Sequence, residues 1–387
     1  MYCSSISDEI TDYKRVCYYG SWEIYKTGIY KFTADSIPDL DLCTHYIYSF
    51  AGVDPKTKTI VPLDEVDEKT GYETLTDKKK INPDIKVILA IGGWTFSALP
   101  AFTELVKTDE SMEEFCENAV KYLRKWKFDG VDMDWEYPGN RGSPPEDKHN
   151  YATLLERMRE TFEAEAEETG NPRLLLSSAV PIGKSIVDSG FDRKRLGEAV
   201  DFLNIMVYDL YTIFSDNVGH HAGLYPRAGA TGEDLQLNAE WGMGYWAEEV
   251  EKAKLILGLP TYSRTFTMNT TVNEPGDWDV SAGVAFSKVS VVRYYEICTK
   301  LQDGTWTEGW DDEQSVPFAF TDTEWSGYDN ERSVQAKADF VKDNQYGGLM
   351  VWQLPADDFP GTSCGKGKYP IIDAMRKSLE SSRGNFI

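Results

Sequence analysis

Short runs of apolar residues recur along this chain, and most of them are continuous rather than alternating. They cover residues 16–22, 44–51, 85–92, 130–137, 174–181, 202–208, 255–262 and 348–354. Continuous apolar runs of this length predict strands covered on both faces, as the strands of parallel sheets are. Between them the period changes. Met112, Phe115, Ala119, Leu123 and Trp126 return every three or four residues, the spacing of one helical face. Ser111-Met-Glu-Glu114 just before them reads as a capping box. Tyr151, Leu154, Leu155, Met158 and Phe162 form a second stripe, with Asp147 expected as its cap and Gly170 as its terminator. Helical spacing resumes from Val334, and a last helix is expected over 371–379.

Strands alternating with helices predict parallel βα units, and eight of them predict an α/β chain closed into a (β/α)8 TIM barrel. The rhythm breaks over 264–333, where Thr, Val, Tyr and Phe runs alternate with turn residues such as Pro275-Gly276 and Asp303-Gly304. A small α+β insertion domain between strands seven and eight is expected there. The barrel then comprises 12–263 and 334–385.

One strand carries a pattern that cheap folding does not explain. Val131, Met133 and Trp135 alternate with Asp132, Asp134 and Glu136. A period of two puts the three carboxylates on one face, successive ones about 6–7 Å apart. Pro138 cannot extend a ladder, so Glu136 is expected near the strand's C-terminal end. Burying the acids costs several kcal/mol each unless they are paired, hydrogen-bonded or protonated. Close like charges relieve this by raising at least one pKa, and a carboxylic acid that keeps its proton near neutral pH is a general acid. A solvated polar strand face is the bland alternative, and two Asp residues argue against it. A calcium loop would need glycine and polar turn residues where Val, Met and Trp stand.

At this point the sequence resembles a known family. Asp129-Gly-Val-Asp132-Met-Asp134-Trp-Glu136 is similar to the DGxDxDxE signature of family 18 glycoside hydrolases, the chitinases. The resemblance implies that Glu136 protonates the glycosidic oxygen. It implies that Asp134 orients the substrate's acetamido group and that Asp132 shares a proton with it. The acetamido oxygen of the substrate, not a protein carboxylate, is then the nucleophile, and the anomeric configuration is retained. Met206-Val-Tyr208-Asp209 resembles the family's M-x-Y-D motif. Tyr208 is implied to bond the acetamido oxygen, Asp209 to contact substrate and Met206 to form a pocket wall. Trp352 matches the aromatic floor under the sugar. Tyr18, Trp22, Phe50, Trp94, Tyr137, Tyr262 and Arg264 match positions lining the cleft, although each aromatic reads equally as core or rim packing from the residues alone.

Three departures stand out. Ala90 occupies the place of the Ser in the S-x-G-G motif that Gly92-Gly93 resembles. Phe214 stands where a Trp is usual on the leaving-group side, without an indole N–H. Leu354-Pro-Ala-Asp357-Asp358-Phe359 lacks the first Asp of D-x-D-D-F. The resemblance also implies disulfides Cys17–Cys43 and Cys298–Cys364, hence an oxidising compartment. Cys116, near its helix's apolar face, is expected as a buried free thiol, and Cys3 is left open.

The chain has 387 residues and a formal net charge of -24, which excludes nucleic acid and anionic membranes as partners. No apolar run is long enough to span a bilayer. The opening Met-Tyr-Cys-Ser-Ser-Ile-Ser-Asp-Glu holds no signal-peptide core, so either the chain is a mature or trimmed form or the protein is not secreted by that route; an extracellular protein is the expectation. Asn269-Thr-Thr271 is a glycosylation sequon. There is no Walker loop, G-x-G-x-x-G, G-x-S-x-G or H-E-x-x-H, so no cofactor and no metal are expected, and His220-His221 reads as a loop pair rather than a site. The leading expectation is a monomeric endochitinase whose partner is chitin or its oligomers. The rivals are a chitinase-like lectin that binds without cleaving and an endo-β-N-acetylglucosaminidase acting on N-glycans.

Overall fold

A computed structural model of the protein describes residues 10, 12–215, 217–268 and 286–381. In chain order its strands are β1 (Lys14–Gly20), β2 (His45–Asp54), β3 (Thr59–Pro62), β4 (Lys86–Gly92), β5 (Gly130–Asp134), β6 (Leu175–Pro181) and β7 (Phe202–Met206). There follow β8 (Leu255–Pro260), β9 (Tyr262–Met268), β10 (Phe286–Arg293), β11 (Thr307–Asp311), β12 (Val316–Phe320), β13 (Glu324–Gly327) and β14 (Gly348–Trp352). Eight parallel strands run in the order β1-β14-β8-β7-β6-β5-β4-β2, and β2 returns to pair with β1, so the sheet closes. All eight expected strands are present in the (β/α)8 barrel.

The alternation within β5 is explained by the two sides of the barrel wall. Val131 and Met133 face outward, join the large core beneath the helices and are fully buried, as Trp135 just beyond the strand nearly is. Trp135 stacks on Phe102 at 5.1 Å, and the Tyr151 hydroxyl of helix Asp147–Thr169 donates to the Met133 carbonyl at 3.2 Å. Burying each such side chain contributes roughly 1.5–3 kcal/mol. The inward face belongs to a separate cluster of Val16, Tyr18, Ile47, Ile88, Ala90, Phe202, Ile256 and Met350, beside which Asp132 and Asp134 are the buried charged exceptions on β5.

Several local expectations are corrected. The fifth strand ends at Asp134, not Tyr137, so Glu136 stands beyond it on the loop over the barrel mouth. The run 255–262 is two strands, since Pro260 has no N–H and ends β8 before β9 leaves the barrel. The helix Asp109–Lys125 starts earlier than the Ser111 box. Thr108 is its cap and accepts the Ser111 N–H at 3.2 Å. Asp147 is the first helical residue rather than the cap, and its carboxylate accepts hydroxyls from Thr103 and Ser143 at 2.6 and 2.8 Å. Gly170 does close that helix, in the left-handed region at φ 72°.

Between β8 and β14 lies a five-stranded antiparallel sheet, β10-β9-β13-β12-β11, with the helix Tyr294–Gln302. The chain returns to the barrel through the helix Glu331–Asn344, and the helix Pro370–Glu380 ends the described chain. Both implied disulfides are formed, Cys17–Cys43 and Cys298–Cys364, and Cys116 is a buried free thiol whose pKa burial pushes up to about 12. Cys3 and Asn269 lie outside the described residues. Among the described residues, no helix is long and apolar enough to cross a membrane.

Candidate active site

The C-terminal ends of the barrel strands converge on the β5 acids. Asp132 lies deepest. Its Oδ2 accepts the Tyr18 hydroxyl at 2.7 Å, and its Oδ1 accepts Ser177 Oγ at 2.7 Å and Asn204 Nδ2 at 3.2 Å. Strands β1, β6 and β7 thus each send one polar side chain to it. Burial raises the Asp132 pKa, and these donors oppose the rise. Ala90 stands opposite Asp132 in the β4–β5 register and offers no hydroxyl. The donors from the other strands satisfy both carboxylate oxygens without it.

Asp134 is next along the face. It is buried, and its Oδ1 has no hydrogen-bond partner among the described residues. Burial, then the neighbouring Glu136 and Asp132 charges, push its pKa well up. Such crowding is possible because Gly92 lets the β4 backbone come close. Its φ is +116°, and a Cβ there would fall 2.1 Å from the Asp134 carbonyl oxygen.

Glu136 caps the column. Ser97 fixes the backbone here, accepting the Glu136 N–H at 2.9 Å and donating to the Asp134 carbonyl at 3.3 Å. Arg141 donates to the Glu136 carbonyl at 2.7 Å and to that of Trp94 at 3.1 Å, with its guanidinium 3.5 Å from the Trp94 ring centre. Burial pushes the Glu136 carboxyl up to about 7, against a hydrogen bond from Tyr137 and the Arg141 charge. The carboxyl therefore keeps its proton through the weakly acid range, as a general acid must.

Around this column stand the aromatics. Trp352 packs against Tyr18, Phe50 and Trp22, with ring centres 5.4, 5.7 and 6.0 Å apart, and Trp22 remains 40% exposed. Trp94, 55% exposed, meets Tyr137 edge-on at 6.4 Å. On the far side, Tyr208 packs on Tyr262 at 6.3 Å, and Met206 is half-buried at the end of β7. Asp209 accepts the Tyr262 hydroxyl at 2.8 Å and the Arg264 guanidinium at 2.7 and 2.6 Å. Burial would raise the Asp209 pKa, but in the acid range a protonated His221, together with Arg264, holds it well below the usual carboxylate range.

Phe214 is the exception. It is 88% exposed on the loop after β7, and among the described residues no ring contact ties it to the other aromatics. A loop residue's direction is set by tertiary contacts that spacing does not encode. Ser177, Asn204, Ser97, Arg141 and His221 were not among the expected site residues. Ser177 and Asn204 left one signal, a polar residue at an inward position of an otherwise apolar run. His220 and His221 do lie in the loop after β7, as expected, but both are buried, and His221 lies against Asp209.

Residues 14–357 match the model of "Glycosyl hydrolases family 18". The chain is 37% identical to chitotriosidase-1 of Mus musculus over 95% of this chain and 78% of that protein. It is 35% identical to the endochitinase of Brugia malayi, over 97% and 75%. Among solved structures, the immunomodulatory active chitinase of Trichuris suis superposes with a TM-score of 0.87 at 32% identity, covering 95% of this chain and 100% of that one. Human YKL-39, a pseudo-chitinase with retained chitooligosaccharide binding, superposes with a TM-score of 0.85 at 31% identity, covering 96% and 100%. The closed barrel, the acid column at its mouth and a family model spanning nearly all of it agree, and the chain belongs to family 18 of the glycosyl hydrolases.

Proposed function

We propose that this protein is a chitinase that hydrolyses β-1,4-linked N-acetylglucosamine with retention at the anomeric carbon. The observation that carries the reading is the column of buried acids, Glu136 over Asp134 and Asp132, at an aromatic-lined barrel mouth where burial pushes the Glu136 pKa up to about 7. In this reading Glu136 gives its proton to the leaving oxygen. The acetamido oxygen of the bound sugar attacks the anomeric carbon, so that no carboxylate is needed as nucleophile. Asp134, whose Oδ1 has no partner among the described residues, takes the acetamido N–H and steadies the positive charge, with Asp132 anchored behind it. Tyr208 orients the acetamido oxygen. The Trp352 ring is the sugar's floor, with Trp22 and Phe50 beside it, and Asp209 with Arg264 and Tyr262 forms the opposite wall. The antiparallel segment 264–333 is read as a small domain that supplies part of this wall.

The two disulfides favour an oxidising compartment, and we read the protein as a secreted monomer. A likeness to a pseudo-chitinase makes binding without cleavage the second reading, and Glu136 is the residue that argues against it.

The test is hydrolysis of a chitin hexamer followed by proton NMR of the fresh products. Shorter oligomers that begin as the β-anomer are expected. Binding without products would make the protein a lectin, and α-anomeric products would exclude the acetamido mechanism. The raised Glu136 pKa sets the sign of the pH profile. The acid is competent below about 7 and is lost as pH rises through that value, so kcat/KM is expected to fall on the alkaline side from about pH 7. A plateau persisting well above that value would remove Glu136 from the role.

A further inference from the structure

Behind Asp209 lies a buried imidazole that the family motifs do not include. The side chain of His221 is fully buried. Its Nδ1 accepts the backbone N–H of Asp209 at 3.3 Å and lies 3.4 Å from Asp209 Oδ1. A nitrogen that accepts an N–H carries no proton, so the proton of the neutral ring is on Nε2. Nε2 is itself buried, without a hydrogen-bond partner among the described residues. The ring packs on Tyr262 at 5.2 Å, and the Leu210 N–H donates to the His221 carbonyl at 3.1 Å. The two stretches of this loop are thereby tied together, and Asp209 is held at φ +58°, where a residue with a side chain needs outside support.

The charged and titratable groups that face the ring come from several elements. Asp209 follows β7, Tyr262 and Arg264 belong to β9, and Asp329 precedes the helix Glu331–Asn344 and is itself paired with Lys337 at 2.7 Å. Burial lowers the His221 pKa. The Asp209 and Asp329 carboxylates oppose this, and Arg264 adds to it, leaving the ring below its ordinary value and neutral at neutral pH.

We propose that His221 is the positioning residue for Asp209 and an acid-side switch on it. In its neutral form it accepts the Asp209 N–H and leaves the carboxylate to Tyr262 and Arg264. When Nδ1 takes a proton from solvent it can no longer accept that N–H, and it becomes a donor facing Asp209 Oδ1. The carboxylate then divides its lone pairs among three donors, its charge is further offset, and its hold on the bound sugar weakens. The proposal rests on the reading of Asp209 as a sugar contact in a chitinase cleft.

The sign follows. A lowered imidazole pKa means that the switch operates only in the acid range, below the ordinary His value of about 6.5. It acts through substrate affinity, so KM for a chitin hexamer rises on the acid side while kcat follows the Asp132–Asp134–Glu136 column. His221→Asn places a carbonyl oxygen near the Nδ1 position, where it accepts the Asp209 N–H but does not titrate. With each enzyme normalised to its own plateau, the acid-side rise in KM is expected in the wild type and absent in His221→Asn. The kcat profiles should coincide. An acid-side KM rise retained in the variant, or equal scaling of kcat and KM at every pH, overturns the proposal. The latter would mark a merely structural role.

Nitrogen NMR of the labelled wild type gives a readout free of catalysis and of the variant's folding. The chain holds only four histidines, His45, His149, His220 and His221. The resonance of His221 is expected to show the Nε2–H form at neutral pH and to titrate below the ordinary imidazole range. An Nδ1–H form, or titration in the ordinary range, overturns the proposal. A wild type that cleaves no chitin oligomer would instead remove the functional reading, and the NMR result would still decide the state of His221.

Discussion

Glu136→Gln is expected to lower hydrolysis of a chitin hexamer by about 10²–10⁴-fold while the oligomer still binds, because the amide keeps the carboxyl's shape but has no acidic proton to give. The aromatic surface of Trp352, Trp22 and Phe50 does not depend on that proton, so affinity measured by calorimetry should stay near the wild-type value. The substitution has a second, coupled effect. After burial, Glu136 is the largest contributor to the raised pKa of Asp134. Removing its charge should let Asp134 ionise at lower pH, and the residual activity should show a displaced acid limb. Groups that interact this closely titrate as a set, so the displacement is read from the whole profile and not assigned to one residue. Residual activity within tenfold of the wild type would remove Glu136 as the proton donor.

The acid column was legible in the sequence for a physical reason. A strand buried on both faces tolerates a charge only where something compensates it, so three acids in one apolar run expose themselves. The barrel was legible for a similar reason, since continuous apolar runs separated by helical stripes leave few other ways to cover both faces. What the sequence did not yield depended on contacts made only after folding. Ser177 and Asn204 are ordinary residues until β6 and β7 bring them to Asp132. Their presence also answers the departure at Ala90, because both Asp132 oxygens have donors without a serine there. Thr108 and Ser111 both suit a helix start, and the choice fell to Thr108, which leaves Asp109 and Glu110 in the first turn where the helix dipole favours them. His221 was hidden by its setting, because a histidine pair in a long loop carries no signal of burial against a site residue. Phe214 shows the reverse limit, since spacing does not tell how far a loop ring stands out from the fold. The spacing matched a family position, but the loop after β7 turns the ring to solvent.

The seam where the chain returns from the antiparallel sheet to the barrel carries the largest expected stability effect. Lys337 Nζ lies 2.7 Å from both carboxylate oxygens of Asp329, Ser333 Oγ donates to Oδ1 at 2.6 Å, and neither charged side chain is exposed. Asp329→Ala leaves an ammonium buried without its counterion and is expected to destabilise the protein by about 3–5 kcal/mol. Lys337→Met strands the carboxylate and should cost a similar amount, about 3–5 kcal/mol. The double substitution Asp329→Ala/Lys337→Met removes both charges and is expected to recover much of the loss, because the intact pair itself offsets a large desolvation cost. Urea denaturation of the three variants forms the cycle. Single-variant losses below about 1 kcal/mol would mean that the pair is solvated like a surface bridge and is not the lock that burial implies. The seam also touches the chemistry. Gly327 of β13 pairs with Arg264 of β9, two residues before Asp329, and Arg264 is the cation that grips Asp209. A folded single variant assayed well below its unfolding transition should therefore lose affinity for the oligomer before it loses kcat, since the loosened strand bears on the proposed sugar-binding wall and not on the acid column.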